Sequence, residues 1–229
     1  MGKFGSWLRL IRIAALPTAL ADVWLGAAAA DQFRTWNVLW LSLISLALYT
    51  AGMILNDVCD VETDRAENPA RPLPSGRIPV GLARTVGLVL LAGAIGGALA
   101  VGPRTGATAA VLALLIVSYD FFLKATPAGP VNMGLCRACN VALGASVASS
   151  SAIIPLYALP VLVYVIAVTY LSRHEAGRPL VRRIVTLALV GIIPLQALLA
   201  ILCSRPAAAG CILLLLVPVF VLKKLSHIT

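Results

Sequence analysis

Residues 38–65 read VLWLSLISLALYTAGMILNDVCDVETDR. The run from Val38 to Leu55 carries no charged residue, and the chain then turns acidic with no linker, through Asn56, Asp57, Asp60, Glu62 and Asp64. One crossing of a hydrocarbon core needs roughly 20 apolar residues. An apolar run of that scale, ending abruptly in carboxylates, reads as a membrane-spanning helix whose polar end carries chemistry, because ionisable groups at that depth are costly and usually functional.

The rest of the chain agrees with a membrane solvent. Of 229 residues, 60% are hydrophobic and 12% charged, against about 25% charged in soluble domains. Eight candidate spans follow, at Ile13–Ala30, Val38–Leu55, Val86–Val101, Gly106–Phe122, Met133–Ser149, Ile153–Leu171, Ile184–Cys203 and Ala207–Leu222. They are apolar all round rather than alternating, so helices are expected and not a barrel. The expected architecture is an all-α polytopic transmembrane bundle forming one domain over residues 1–229. Basic residues before the first span and Ala27–Ala30 after it also fit a cleavable leader. The polytopic pattern that follows favours a retained first span.

Lys and Arg set the orientation. With the N-terminus in the cytoplasm, only Arg34, Arg104 and Arg205 of the 18 basic residues fall outside, a strong positive-inside bias. The bias accounts for the formal +9 charge through anionic lipid headgroups, with no motif for nucleic acid. The expected location is the inner (cell) membrane, with the active-site loops cytoplasmic. Cys59, Cys136, Cys139, Cys203 and Cys211 make no disulfide framework. Cys136-x-x-Cys139 has no second pair to complete a zinc site and reads as small-residue helix packing.

Five of the nine acidic residues lie between 57 and 67. On a continuous helix Asn56, Asp60 and Asp64 share one face, with Asp57 beside them. Like charges at that spacing repel, so a cation should neutralise them. Oxygen-only donors favour Mg²⁺ or Ca²⁺ over zinc, and Mg²⁺ commonly joins one or two carboxylates to substrate phosphates. The bland alternative is a solvated acidic loop. Next comes Arg65-Ala-Glu-Asn-Pro-Ala-Arg71-Pro-Leu-Pro-Ser-Gly-Arg77. Pro69, Pro72 and Pro74 exclude a continuous helix, so a stiff turn should hold three arginines near the acids. Arginine suits phosphate recognition, although topology alone would also put arginines here.

The pattern Asn56-Asp57-x-x-Asp60-x-x-x-Asp64, followed by Asn68-Pro69-x-Arg71-Pro72-x-Pro74-Ser75-Gly76, closely resembles the first aspartate-rich motif of the UbiA prenyltransferase superfamily. Gly134-x-x-Arg137-x-x-Asn140-x-x-x-Gly144 also looks like the EboC-like branch. The resemblance implies a nine-span bundle with a cavity open toward lipid, so the eighth span here would be followed by no ninth. It implies Mg²⁺-dependent transfer of a prenyl group from an isoprenyl diphosphate, by way of an allylic cation, to an acceptor the sequence does not name. Asp57, Asp60 and Asp64 would be catalytic, and with Asn56 they would hold the metal. Asn56, Arg65 and Arg71 would lie beside the diphosphate, with Tyr119, Lys124, Arg137 and Arg173 as further substrate contacts. Where many members carry a second aspartate cluster, this chain has Tyr170-Leu-Ser-Arg173-His174-Glu175. Glu175 is its one candidate metal ligand, and Arg173 could supply charge in place of metal.

Other residues keep two readings. Asp120 and Lys124 are spaced i, i+4 and could pair, and Tyr119 and Lys124 could equally anchor the helix at the interface. Asp22, an acid inside the first span, either serves the acceptor or a second metal, or pairs with a polar neighbour. His174 is a candidate base, and with His227 it forms no metal site. A non-catalytic transport or accessory protein on the same scaffold is the rival class. The D-x-x-D-G-x-x-A-R signature of CDP-alcohol phosphotransfer is absent.

Overall fold

The computed structural model describes residues 3–33, 36–148 and 154–228. Helix α1, Lys3–Leu10, meets a short 3₁₀ turn at Ile13–Ala15 and then α2, Leu16–Ala29. The chain bends 48° at this break. Arg12 occupies the bend with φ 49° and ψ 52°, a left-handed conformation uncommon outside glycine and often found at functional positions. The expected span from Ile13 is therefore the second limb of a bent pair, Ile13–Ala29, with Phe4–Leu10 before the break.

α3 runs Asn37–Cys59 and α4 Val61–Glu67. The junction keeps helical spacing, because Asp60 N donates to Asn56 O at 3.0 Å and Asp64 N to Asp60 O at 2.8 Å. Asn56, Asp60 and Asp64 thus stay on one face. From Asn68 to Pro79 there is no helix, as the three prolines require. Leu73 and Ile78 from this loop pack with Leu10, Ile54, Val58 and Val61, which fixes it against the α3 end.

The remaining helices are α5 (Val80–Val101), α6 (Pro103–Ser118) with a π-turn at Tyr119–Leu123, α7 (Gly129–Ala145), α8 (Ile154–Ser172), α9 (Pro179–Leu202), α10 (Pro206–Leu214) and α11 (Leu216–Ile228). Among the described residues five helices are long and apolar enough to cross a membrane, six if the bent first pair is one span. The expected eight spans shrink for a physical reason. The 17 residues of α7 lie at the short end of the spanning range, and they include Asn132, Arg137 and Asn140, which lower its apolar character. The final apolar stretch, Pro206–Leu222, is short and split between α10 and α11. Ser149 and Ile153, expected span limits, lie outside the described residues.

Helix α2 is central, packed against α3, α7 and α9. Its contact with α7 is backbone to backbone. A Cβ at Gly26 would overlap the Val141 carbonyl, and one at Gly144 would overlap the Val23 backbone. Small residues that admit such approach drive helix association in lipid, where the hydrophobic effect between helices is lost. Large apolar side chains on the outer helices, such as Leu88, Val89, Leu156, Leu159, Leu187 and Leu198, are exposed, as a lipid-facing surface requires. All five cysteines are free, and Cys136 and Cys139 pack in the interface around α7.

Candidate active site

A cavity of about 370 Å³ lies along the C-terminal part of α3, lined from Ser45 to Asp60, about 22 Å along the helix. Its wall is apolar at Leu48, Met53, Leu112, Ile116 and Met133 and polar at Asn56, Asp60, Tyr119 and Asp120. Four basic side chains line it (Arg12, Arg71, Lys124 and Arg137) against two acidic ones, Asp60 and Asp120. Apolar walls with an excess of cations suit a ligand with a greasy body and an anionic head.

Basic side chains neutralise the acids of the first motif, as like-charge repulsion demanded. Arg12 Nη2 lies 3.2 Å from Asp57 Oδ1, and Arg71 Nη1 lies 2.5 Å from Asp64 Oδ2. Lys124 Nζ pairs with Asp60 and also donates to Asn56 Oδ1 at 3.2 Å. Asn56 Nδ2 donates to Asp120 Oδ1 at 3.0 Å. The two ends of one buried amide therefore tie the motif to the end of α6. Asp57 and Asp64 are buried and hold the arginines that line the cavity.

The Asp120–Lys124 pair that the spacing allowed does not form, and Lys124 pairs with Asp60. Between Tyr119 and Leu123 the helix widens to a π-turn, with Lys124 N bonded to Tyr119 O at 2.9 Å. The extra residue in the turn breaks i, i+4 register, so Asp120 faces Asn56 and Lys124 faces Asp60.

Other expected residues lie elsewhere. Arg65 is exposed and chelates Glu62 at 2.7 and 2.8 Å. It is absent from the cavity wall, because α4 turns it outward beside its i−3 neighbour. Arg173 Nη2 donates to the Lys124 and Thr126 carbonyls at 2.8 and 2.6 Å, and bridges α8 to the loop carrying Lys124. Glu175 and His174 are also outside the wall. His174 Nδ1 lies 3.1 Å from Tyr170 O, and the His227 side chain lies outside the described residues. Arg137 lines the cavity but is held from behind, with Nη2 on Thr18 O at 2.7 Å and Nε 3.0 Å from Asp22 Oδ2. Asp22 is fully buried and also accepts from Asn140 at 3.0 Å and from Gln196. Of the two readings of Asp22, the structure realises the polar pairing.

Arg12 and Asp120 are the cavity residues that sequence reading underrated. Arg12 looked like one more topology-setting cation, and its left-handed backbone has no sequence signal beyond the break it causes. For Asp120 the signal was an acid at a span end.

Among the described residues no three His, Cys, Asp or Glu side chains converge to cage a metal alone. A divalent cation here needs substrate oxygens as well. The donors fit Mg²⁺ on that basis. They are oxygens only, a cationic ammonium already sits between Asp60 and Asn56, and Asp120 Oδ2 is a buried atom with no hydrogen-bond partner.

The profile of the UbiA prenyltransferase family matches residues 14–225. The chain belongs to that family. Digeranylgeranylglyceryl phosphate synthases are among its relatives. That of Ignicoccus hospitalis is 40% identical over 126 residues, covering 55% of this chain and 41% of the relative. That of Sulfolobus acidocaldarius is 36% identical over 88 residues, covering 38% and 32%. The matched parts thus span less than half of these curated relatives. In fold, a digeranylgeranylglyceryl phosphate synthase structure superposes with a TM-score of 0.69 at 18% identity, covering 99% of this chain and 97% of that one. A UbiA homologue from Archaeoglobus fulgidus bound to DMAPP and Mg²⁺ gives 0.65 at 14% identity, covering 96% of each chain. The all-helical UbiA bundle and its membrane setting are therefore established. These relatives are synthases and not EboC-like proteins, so the finer branch suggested by the α7 pattern finds no support among them.

Proposed function

We propose that this UbiA-family chain is an intramembrane prenyltransferase. It moves a prenyl group from an isoprenyl diphosphate to the free hydroxyl of a glyceryl phosphate acceptor, with Mg²⁺. The observation that carries the reading is the cavity itself, with apolar walls and four cationic side chains at its surface. The names of the aligned relatives support the acceptor class.

Asn56 and Asp60 turn their side-chain oxygens to the cavity and would hold Mg²⁺, while Asp64, on the same helical face, is engaged by Arg71. When bound, Mg²⁺ supplies Lewis-acid stabilisation of the departing diphosphate. Arg12, Arg71 and Lys124 exchange their carboxylate partners for diphosphate oxygens. Their charge-assisted bonds strengthen as negative charge accumulates on the leaving group. Asp57 and Asp64 aim Arg12 and Arg71 in the resting state. Met53, Ile116 and Met133 surround the prenyl chain and exclude water from the allylic cation. The allylic C–O bond breaks with its electron pair leaving on diphosphate. The acceptor oxygen then forms the new C–O bond, and its proton passes to the diphosphate. The N-terminus and the motif loops lie on the cytoplasmic face of the cell membrane in this reading, which the distribution of Lys and Arg supports.

The test uses purified protein in lipid with labelled geranylgeranyl diphosphate, Mg²⁺ and a prenylated glyceryl phosphate. Label should move into an acid-stable ether lipid only when Mg²⁺ and acceptor are both present. Diphosphate binding without transfer to any hydroxyl acceptor would instead support a transport or accessory role.

A further inference from the structure

The two oxygens of Asp120 are in different situations. Oδ1 accepts from Asn56 Nδ2 at 3.0 Å. Oδ2 is buried and has no hydrogen-bond partner. A buried carboxylate oxygen without a donor costs free energy until something positive reaches it. Asp120 lines the same cavity as Asp60, Asn56 and Lys124. The Lys124 ammonium lies between Asp60 and Asn56, and Asn56 in turn touches Asp120. Asp60, Asn56 and Asp120 thus form a connected row on the cavity wall, with the ammonium at its Asp60–Asn56 end and the unpartnered Asp120 oxygen at the other. The π-turn builds this row. In a regular helix Asp120 would pair with Lys124 at i, i+4, whereas the widened turn frees the carboxylate for the cavity.

We propose that Asp120 is a direct ligand of the divalent cation, opposite Asp60, and that it takes the role which a second acidic cluster would otherwise fill. This inference rests on the prenyltransferase reading above. The segment Tyr170–Glu175 carries one acid, and that acid is outside the cavity wall. Two carboxylates completed by substrate phosphates make a set that Mg²⁺ readily accepts.

The test is Mn²⁺ binding in lipid nanodiscs, followed by electron paramagnetic resonance in the presence of inorganic diphosphate. Asp120→Asn should weaken Mn²⁺ affinity at least tenfold, as Asp60→Asn should, while Glu175→Gln should leave it unchanged. Asp120→Cys should shift the preference from Mn²⁺ toward thiophilic Cd²⁺ relative to wild type. A residue that only supports the fold would show no such change, and the measurement decides the matter even if the Asn variant is unstable. Wild-type affinity in Asp120→Asn, or no shift toward Cd²⁺ in Asp120→Cys, overturns the inference. If Asp60→Asn loses Mn²⁺ while Asp120→Asn keeps it, the functional reading stands and the role of Asp120 falls. If the wild type binds no Mn²⁺, both fall.

Discussion

Replacing Asp22 by Ala tests the packing that positions the cavity. Asp22 is completely buried between α2, α7 and α9, with Arg137 Nε 3.0 Å from its carboxylate and with Asn140 and Gln196 bonded to it. The substitution leaves the Arg137 charge without its counter-ion. Breaking a buried pair from one side costs about 3–5 kcal/mol. The two lost amide bonds add about 0.6 kcal/mol each, the average for interhelical hydrogen bonds in a bilayer. Arg137 keeps its bonds to Thr18 and borders the cavity, which draws the total toward the lower end, about 4 kcal/mol. Reversible unfolding of the protein in bicelles, monitored by steric trapping, would measure it. The double variant Asp22→Ala/Arg137→Met should recover at least half of the loss, because it removes the orphaned charge. A cost below about 1 kcal/mol for the single variant, or a double variant no more stable than the single one, would refute the buried pair as the organiser of these three helices.

Gly144→Leu should separate α2 from α7, since even a Cβ at that position overlaps the Val23 backbone. Low yield of folded protein and a lowered thermal midpoint are expected, whereas Gly96→Leu, where nothing lies within 4 Å, should behave as wild type. Arg71→Gln removes a cation from the cavity and leaves Asp64 unpaired. A lost hydrogen bond between charged groups is worth about 1.5–3 kcal/mol, so KM for the prenyl diphosphate should rise about 10–150-fold in a transfer assay. Orientation is open to thiol labelling in intact cells. Single cysteines at Arg77 or Arg178 should react only after permeabilisation, and one at Arg104 should react before it.

The helical bundle was legible because lipid leaves the chain few choices. Long apolar runs, a charge bias and a proline-stopped loop each state a local rule, and α3, α5, α8 and α9 obeyed it. The shortness of α7 was less visible, because Arg137 and Asn140 sit inside an otherwise apolar stretch and the helix is shielded by α2. At the site, the Asn56/Asp60/Asp64 face followed from period alone. The partners did not. Arg12 and Asp57 are 45 residues apart, and Asn56 and Asp120 are 64 apart. No local pattern reports such pairs. The π-turn at Tyr119–Leu123 defeated the simplest spacing argument, because a one-residue change of register exchanges partners without changing composition. Arg65 erred in the opposite direction, since its position in the motif suggested the cavity while its neighbour Glu62 captures it at the surface.

The most direct measurement of the central claim is single-turnover release of inorganic diphosphate from geranylgeranyl diphosphate by the wild type and by Asp60→Asn, with and without Mg²⁺. The account predicts release by the wild type that requires Mg²⁺ and acceptor together, and a loss of at least a hundredfold in a folded, substrate-binding Asp60→Asn variant. Equal release by the two proteins, or release indifferent to Mg²⁺, would contradict it.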